Sequence, residues 1–173
     1  TGTKMANPAL NVIVTTGDGD ATAIGGNHLI HAARRNIDLT TIIFDNNIYG
    51  MTGGQSSPLT PQNSRSTTAP FGHIERSFDI AKLSVAAGAT YVARGTSFHA
   101  KMLTDLIAKG IANKGFSVID AISGCPTSFG RKNKMAQPSK MLEWQRDHAV
   151  TVQAAAKLSA EQLADKFLIG ELH

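Results

Sequence analysis

The 173-residue chain contains one cysteine, one tryptophan and two tyrosines. The lone cysteine, Cys125, cannot form an internal disulfide or by itself hold a metal cluster. A disulfide scaffold of the secreted kind is therefore excluded, and a reducing cytoplasm is the expected compartment. Charge is scarce as well. Asp, Glu, Lys and Arg make up 17% of the residues, too few for a coiled coil. Hydrophobic residues make up 42% and the net charge is +4, which excludes a disordered chain. No run approaches the roughly 18 apolar residues of a membrane span. Residues 1–9 lack the basic, apolar and small-residue blocks of a signal peptide, so no membrane role is expected. The small positive excess permits an acidic protein partner. No recognition helix or aromatic–basic platform accompanies it, so nucleic acid is not an expected partner.

The apolar pattern alternates between two periods. β-Branched runs at residues 11–16, 40–44, 91–94 and 116–122 read as buried strands. Residues 24–35, 79–87, 98–113, 139–156 and 160–167 read as helices, and 168–172 as a last strand. Asp79 is placed to cap one helix and Gly88 to stop it. Ser159 with Gln162 fits a capping box. Two stretches, 46–70 and 123–137, have no periodicity, and loops that long are usually functional. Strand–helix alternation implies one α/β domain over residues 1–173, a mostly parallel sheet flanked by helices. Ligands in such sheets bind beyond the carboxyl ends of the strands.

The first strand ends in Gly17-Asp18-Gly19-Asp20. Position 22 is threonine where a dinucleotide fingerprint needs glycine, and no Gly-Lys-Ser/Thr of a P-loop is present. Two carboxylates in a glycine turn would repel a bare phosphate. They make sense with a magnesium ion between carboxylate and phosphate. One crossover later the second strand ends in Asp45-Asn46-Asn47-Ile48-Tyr49-Gly50. Parallel neighbours joined by a right-handed crossover end side by side, so Asp18 and Asn46 should face each other. Both offer hard oxygen ligands, and the Ile48 carbonyl could add a third. The glycines and the helix they open could supply N–H groups to a phosphate.

GDG followed after one crossover by an Asn-containing turn resembles the thiamine-diphosphate motif. The likeness extends through GDGDATAIGGNHLIHAARRNIDLTTIIFDNNIYGMTGGQSSPLTP, TAPFGHIERSFD, AAGATYVARG, KGFSVIDAISGCPTSFGRKNK and the closing IGELH. Over nearly the whole chain it is similar to the β subunit of 2-oxoacid:ferredoxin oxidoreductases, most of all to the 2-oxoglutarate branch. The resemblance implies the thiamine-diphosphate-binding fold, and oxidative decarboxylation of a 2-oxoacid with coenzyme A to an acyl-CoA and carbon dioxide. Electrons would pass to ferredoxin through a 4Fe–4S cluster, and an α subunit would complete the site. Asp18 matches the magnesium carboxylate, Asn46 the side-chain ligand and Ile48 the carbonyl ligand. Gly17, Gly19 and Asp20 match the turn around the diphosphate. Tyr49, Gly50, Met51 and Thr52 match the loop closing over it, with Met51 and Thr52 nearest the reacting carbon.

A lone cysteine near a strand end is ordinarily a small buried hydrophobe, the first reading of Cys125. The resemblance makes it the last of four cluster thiolates, the other three lying ahead of Thr1. The chain is then expected to lack its N-terminal cluster-binding portion and to be inactive in isolation, serving at most as a subunit-interaction module. His28 and His31 share a helix face, but no third ligand follows, so packing or subunit contact is the better reading. Arg34 and Arg35 end their helix favourably for its dipole. Arg131, Lys132 and Lys134 form a basic run, usually a solvated loop, here placed to meet an acidic ferredoxin. Trp144 is expected to pack on the sheet or on a partner. Gly53 in TGGQ is common in pyruvate enzymes, where the 2-oxoglutarate branch often has lysine. Pyruvate or a broader range of 2-oxoacids therefore stays open as substrate.

Overall fold

The computed structural model describes residues Thr1–His173. A short helix α1 (Gly2–Ala6) leads into β1 (Ile13–Gly17), α2 (Asp18–Thr22), α3 (Gly26–Arg34) and β2 (Leu39–Asp45). A long loop then reaches α4 (Ile80–Ala86), β3 (Tyr91–Thr96), α5 (Ala100–Ala112) and β4 (Phe116–Ile122). One π-helical turn (Pro126–Gly130) precedes α6 (Pro138–His148), β5 (Ala149–Thr151), α7 (Val152–Ala155), α8 (Ala160–Leu163) and β6 (Phe167–Glu171). The six strands form one sheet in the order β1-β2-β4-β3-β6-β5. The first four are mutually parallel, and β6 runs antiparallel to β3. No helix is long and apolar enough to cross a membrane.

Two layers of helix cover the sheet. On one face Leu29 and Ala33 of α3, with Ile80 and Ala81 of α4, pack on Ile43, Val92, Val118 and Phe116. On the other, Leu106 of α5 packs on Ile42, Ala93 and Ile119. Ile43 and Ile119 are fully buried, and each such side chain contributes about 1.5–3 kcal/mol. β4 is buried along its whole length and β2 at all but Phe44, which accounts for their mostly apolar and β-branched content. Asp79 caps α4 as expected, accepting from the Lys82 N–H, and Gly88 beyond it has a left-handed φ of +98°.

The structure corrects three expectations. The first strand, expected to be buried, is β1 at the edge of the sheet, with Ile13, Val14 and Thr15 exposed. Residues 139–156 are not one helix. α6 ends at His148, Ala149 turns extended at ψ 132°, and Ala149–Thr151 pair in parallel with Phe167–Ile169. The β-branched Val150 and Thr151 favour that pairing over helix. The helix expected to reach residue 167 keeps its Ser159–Gln162 capping box but stops at Leu163, because Phe167–Leu168 enter β6. Trp144 stacks on Phe167 at 5.5 Å, fixing α6 to that strand.

Register positions the chemistry. Gly17 pairs with Phe44, so Asp18 and Asp45 leave the sheet side by side and Asn46 follows. GDGD is not a free turn: Asp18 begins α2 directly at the end of β1.

Candidate functional site

At the carboxyl ends of β1, β2 and β4 lies a cleft of about 710 Å³. It is lined by Gly17–Asp20, Asn46, Ile48–Thr52 and residues 124–127. Every residue expected at the site, from Gly17 to Cys125, is thus brought around one opening. A smaller groove of about 320 Å³ along β1 and α3 is lined by Val14, Leu29 and Ala32, and includes His28.

Asp18 is 1% exposed. Its carboxylate accepts from the Ser57 hydroxyl, and the neighbouring backbone N–H groups of Asn46, Asp18 and Gly19 also favour its charged form. Burial still outweighs these bonds and raises its pKa above the ordinary carboxylate value. No Lys, Arg or His of the chain pairs with it. Asn46 Oδ1 accepts from the Ile48 N–H at 3.3 Å, closing an Asx turn. Asn47 sits in the left-handed region at φ 63°, and its N–H donates to Asp45 Oδ1 at 3.0 Å. The Ile48 side chain, 2% exposed, packs with Phe129 and Met141, with Cys125 against the same cluster. That small core fixes the Ile48 backbone and brings the two irregular stretches together beneath the cleft.

Tyr49 lies over Gly19. Its hydroxyl donates to the Gly19 carbonyl at 2.8 Å, and a Cβ on Gly19 would stand 2.4 Å from the ring. Only glycine fits beneath that ring. Residues 49–55 form a tight loop closed by Tyr49 N–H to Gln55 O and Gly54 N–H to Tyr49 O. Thr52 Oγ1 donates to Gln55 Oε1 at 2.7 Å, while Met51 is fully exposed. Asp20 accepts from Thr16 Oγ1 at 2.8 Å.

Ser57 and Thr60 were not among the expected site residues. Both are buried; Ser57 meets Asp18, and Thr60 Oγ1 donates to the Asn47 carbonyl at 2.6 Å while accepting from the Ser57 N–H. The long loop therefore folds back and braces both halves of the motif. Only the length of that loop hinted at it.

Behind the cleft is a buried acidic layer. Burial first, then the charges of Asp120 and Asp18, push Asp45 well above the ordinary carboxylate range. Arg94 Nε donates to Asp120 Oδ2 at 2.7 Å and its Nη2 to Asp79 Oδ1 at 2.8 Å. Burial disfavours the charge at both ends of the Arg94–Asp120 pair and lifts Asp120, yet the two carboxylates hold Arg94 above its ordinary value. Asp120 Oδ1 has no hydrogen-bond partner.

A divalent cation fits the front donor set. Asp18 offers a buried carboxylate with no cationic partner, Asn46 an amide oxygen and Ile48 a backbone carbonyl, all hard ligands. No three His, Cys, Asp or Glu side chains converge, so the rest of the ion's shell would come from water or ligand oxygens. The chain's own residues do not fit a 4Fe–4S cluster. Such a cluster takes four thiolates, and Cys125 is the lone cysteine. Burial raises the Cys125 thiol pKa, but the Ser128 N–H, the Thr127 hydroxyl and the Phe129 N–H outweigh it and hold the pKa below its ordinary value. A Cβ on Gly50 would stand 3.3 Å from Cys125 Sγ, so the thiol lies against the loop that carries Met51.

Residues 1–121 match the model of the thiamine pyrophosphate enzyme C-terminal TPP binding domain. The 2-oxoglutarate synthase subunit KorB of Methanothermobacter marburgensis is 55% identical over 171 residues, 99% of this chain and 60% of that protein. The same-named subunit of Methanocaldococcus jannaschii is 51% identical, with 99% of this chain and 63% of that protein covered. Among solved structures, a 2-oxoglutarate:ferredoxin oxidoreductase from Magnetococcus marinus, with 2-oxoglutarate, coenzyme A and succinyl-CoA bound, superposes with a TM-score of 0.85 at 32% identity. That match covers 99% of this chain and 59% of the other. The chain spans about three fifths of the length of each of these relatives.

Proposed function

Because the chain belongs to the thiamine pyrophosphate enzymes, by their C-terminal TPP binding domain, we propose that it is the thiamine-diphosphate-binding β component of a 2-oxoglutarate:ferredoxin oxidoreductase. The reaction is oxidative decarboxylation of 2-oxoglutarate with coenzyme A, giving succinyl-CoA, carbon dioxide and reduced ferredoxin. The observation that carries this reading is the buried, cation-free Asp18 carboxylate beside Asn46 in a cleft at the strand ends. The likeness to subunits named 2-oxoglutarate synthase supports the choice of acid.

When bound, thiamine diphosphate supplies the carbon nucleophile for the 2-oxo carbon and a ring that holds the electrons left after carbon dioxide departs. The residues of this chain do the holding. Asp18, Asn46 and the Ile48 carbonyl would bind magnesium, which joins the diphosphate to the protein. Gly17, Gly19 and Asp20, where β1 runs into α2, would lie against the diphosphate, and Tyr49 and Gly50 would close over it. Met51 and Thr52, at the tip of the 49–55 loop, would stand nearest the reacting carbon. Met51 brings apolar surface, which favours a dry site. An α subunit would supply the opposite wall of the cleft. Cys125 would contribute one thiolate to a cluster completed by cysteines outside this chain.

Titration calorimetry of the intact complex with thiamine diphosphate and magnesium tests the proposal. Asp18→Ala should abolish magnesium-dependent binding, and unchanged affinity would refute the assignment. Steady-state rates with 2-oxoglutarate, pyruvate and branched 2-oxoacids then test the substrate. A preference for pyruvate would favour the pyruvate branch to which Gly53 points.

A further inference from the structure

The two loop segments that frame the cleft, residues 46–74 and 123–142, contain no aspartate or glutamate. They carry Arg65, Arg131, Lys132, Lys134 and Lys140, all exposed and none in an ion pair within the chain. Unpaired exposed cations occur elsewhere too, Lys114 and Lys157 among them, but these two segments hold their five with no carboxylate of their own. Like charges repel one another, and no ion pair within the chain offsets these.

The cations sit on ordered backbone. The N–H groups of Phe129 and Gly130 both donate to the Cys125 carbonyl, at 3.1 and 2.9 Å, so the π-helical turn delivers Arg131 beside the cysteine. Asn133 then ties the segments together. Its amide donates to the carbonyls of Phe129 and Arg65, each at 2.9 Å, and its Oδ1 accepts from the Arg65 N–H at 2.8 Å. Lys134, at φ 60°, turns the chain back, and the Met135 N–H closes on the Gly130 carbonyl at 2.8 Å. None of the five cations lines the cleft, although Cys125, Pro126 and Thr127 do. The positive rim thus lies outside the concavity, where it suits a protein face better than a buried phosphate. The one aromatic of residues 123–142, Phe129, is buried, so Arg131, Lys132 and Lys134 have no exposed ring in their own segment; the exposed ring of the other segment is Phe71.

We infer that this rim, centred on Arg65, Arg131, Lys132 and Lys134, docks an acidic electron-accepting protein of the ferredoxin type on the Cys125 side of the cleft. The inference rests on the reaction proposed above and adds where on this chain the acceptor sits. Opposite charge across such a face sets encounter rate and orientation, and salt weakens it.

The test is binding of an acidic ferredoxin to the intact complex by interferometry, at low and high salt. R131E/K132E/K134E should weaken binding ~10–100-fold at low salt, with the difference shrinking at high salt. R131Q/K132Q/K134Q should show a smaller loss in the same direction. The same charge change at Lys101, Lys114 and Lys157 should leave binding within about twofold. Reduction of a viologen dye driven by 2-oxoglutarate, which needs no protein docking, should be equal in all variants. Unchanged ferredoxin binding in the glutamate triple variant overturns the inference, as does an equal loss in the control. A shift in affinity for coenzyme A or a DNA duplex in place of ferredoxin also overturns it. Absence of viologen reduction by the unaltered complex would count against the reaction, while the binding measurement still reads the docking.

Discussion

Ser57→Ala removes one hydroxyl from the buried carboxylate that anchors the site. Ser57 is 2% exposed and donates to Asp18 Oδ2, so no water replaces it without opening the loop. A hydrogen bond to a charged group contributes about 1.5–3 kcal/mol. Each kcal/mol moves the melting point of a domain this size by about 2–4 °C, so the variant should melt roughly 3–12 °C lower at neutral pH. The pH dependence follows from the sign of the shift. Asp18 already has a raised pKa, and loss of a donor to its charged form raises it further. The cost of S57A is therefore fully present above the folded-state pKa of Asp18 and shrinks as pH falls through it. Melting curves over a pH series read the stability, and calorimetry with thiamine diphosphate and magnesium reads the site. If Asp18 orients the ion, affinity should fall ~10–100-fold for the same bond energy. Wild-type melting at all pH values together with wild-type affinity would refute the idea that Ser57 braces Asp18.

Gly19→Ala should destabilise by about 1–3 kcal/mol through overpacking against the Tyr49 ring and weaken cofactor binding; urea unfolding checks the first and calorimetry the second. In the double variant with Tyr49→Ala the stability loss attributable to Gly19 should largely vanish. Arg94→Met leaves Asp120 buried without its cation and should cost about 3–5 kcal/mol in urea unfolding at neutral pH. Loss of Arg94 raises the Asp120 pKa further above its unfolded value, so that variant should regain stability as pH falls through the raised value, and a loss that grows on acidification would contradict it.

Much of this architecture is legible in the residues alone. β2 and β4 announce themselves because β-branched and apolar residues fill both faces of a strand that helices cover twice. Asp79 and Gly88 mark the ends of α4 because capping and left-handed backbone are local chemistry. Asp18 and Asn46 could be placed opposite each other because one right-handed crossover fixes which strand ends are neighbours. What stayed hidden was tertiary. Val150 and Thr151 pair with Leu168 and Ile169, and nothing in a window around either run reveals that partner. Ser57 and Thr60 sit in a Ser-, Thr- and Pro-rich stretch that reads as any polar loop. Their burial follows only from how that loop folds over Asp18. The Arg94–Asp120 pair was equally invisible, since each residue interrupts an otherwise apolar strand without naming its partner.

β1 delivers Asp18, yet it stands at the margin of the sheet, with Ile13, Val14 and Thr15 open to solvent and ladder bonds on one side only. The strand that leads into Asp18 is therefore less insulated from unravelling than β4, whose every residue is buried. Amide hydrogen exchange should thus be graded across the sheet, quick in β1 and slow in β4. A ligand gripping Asp18 would slow exchange along β1 in particular, because filling the cleft and tying down that margin of the sheet would be one event.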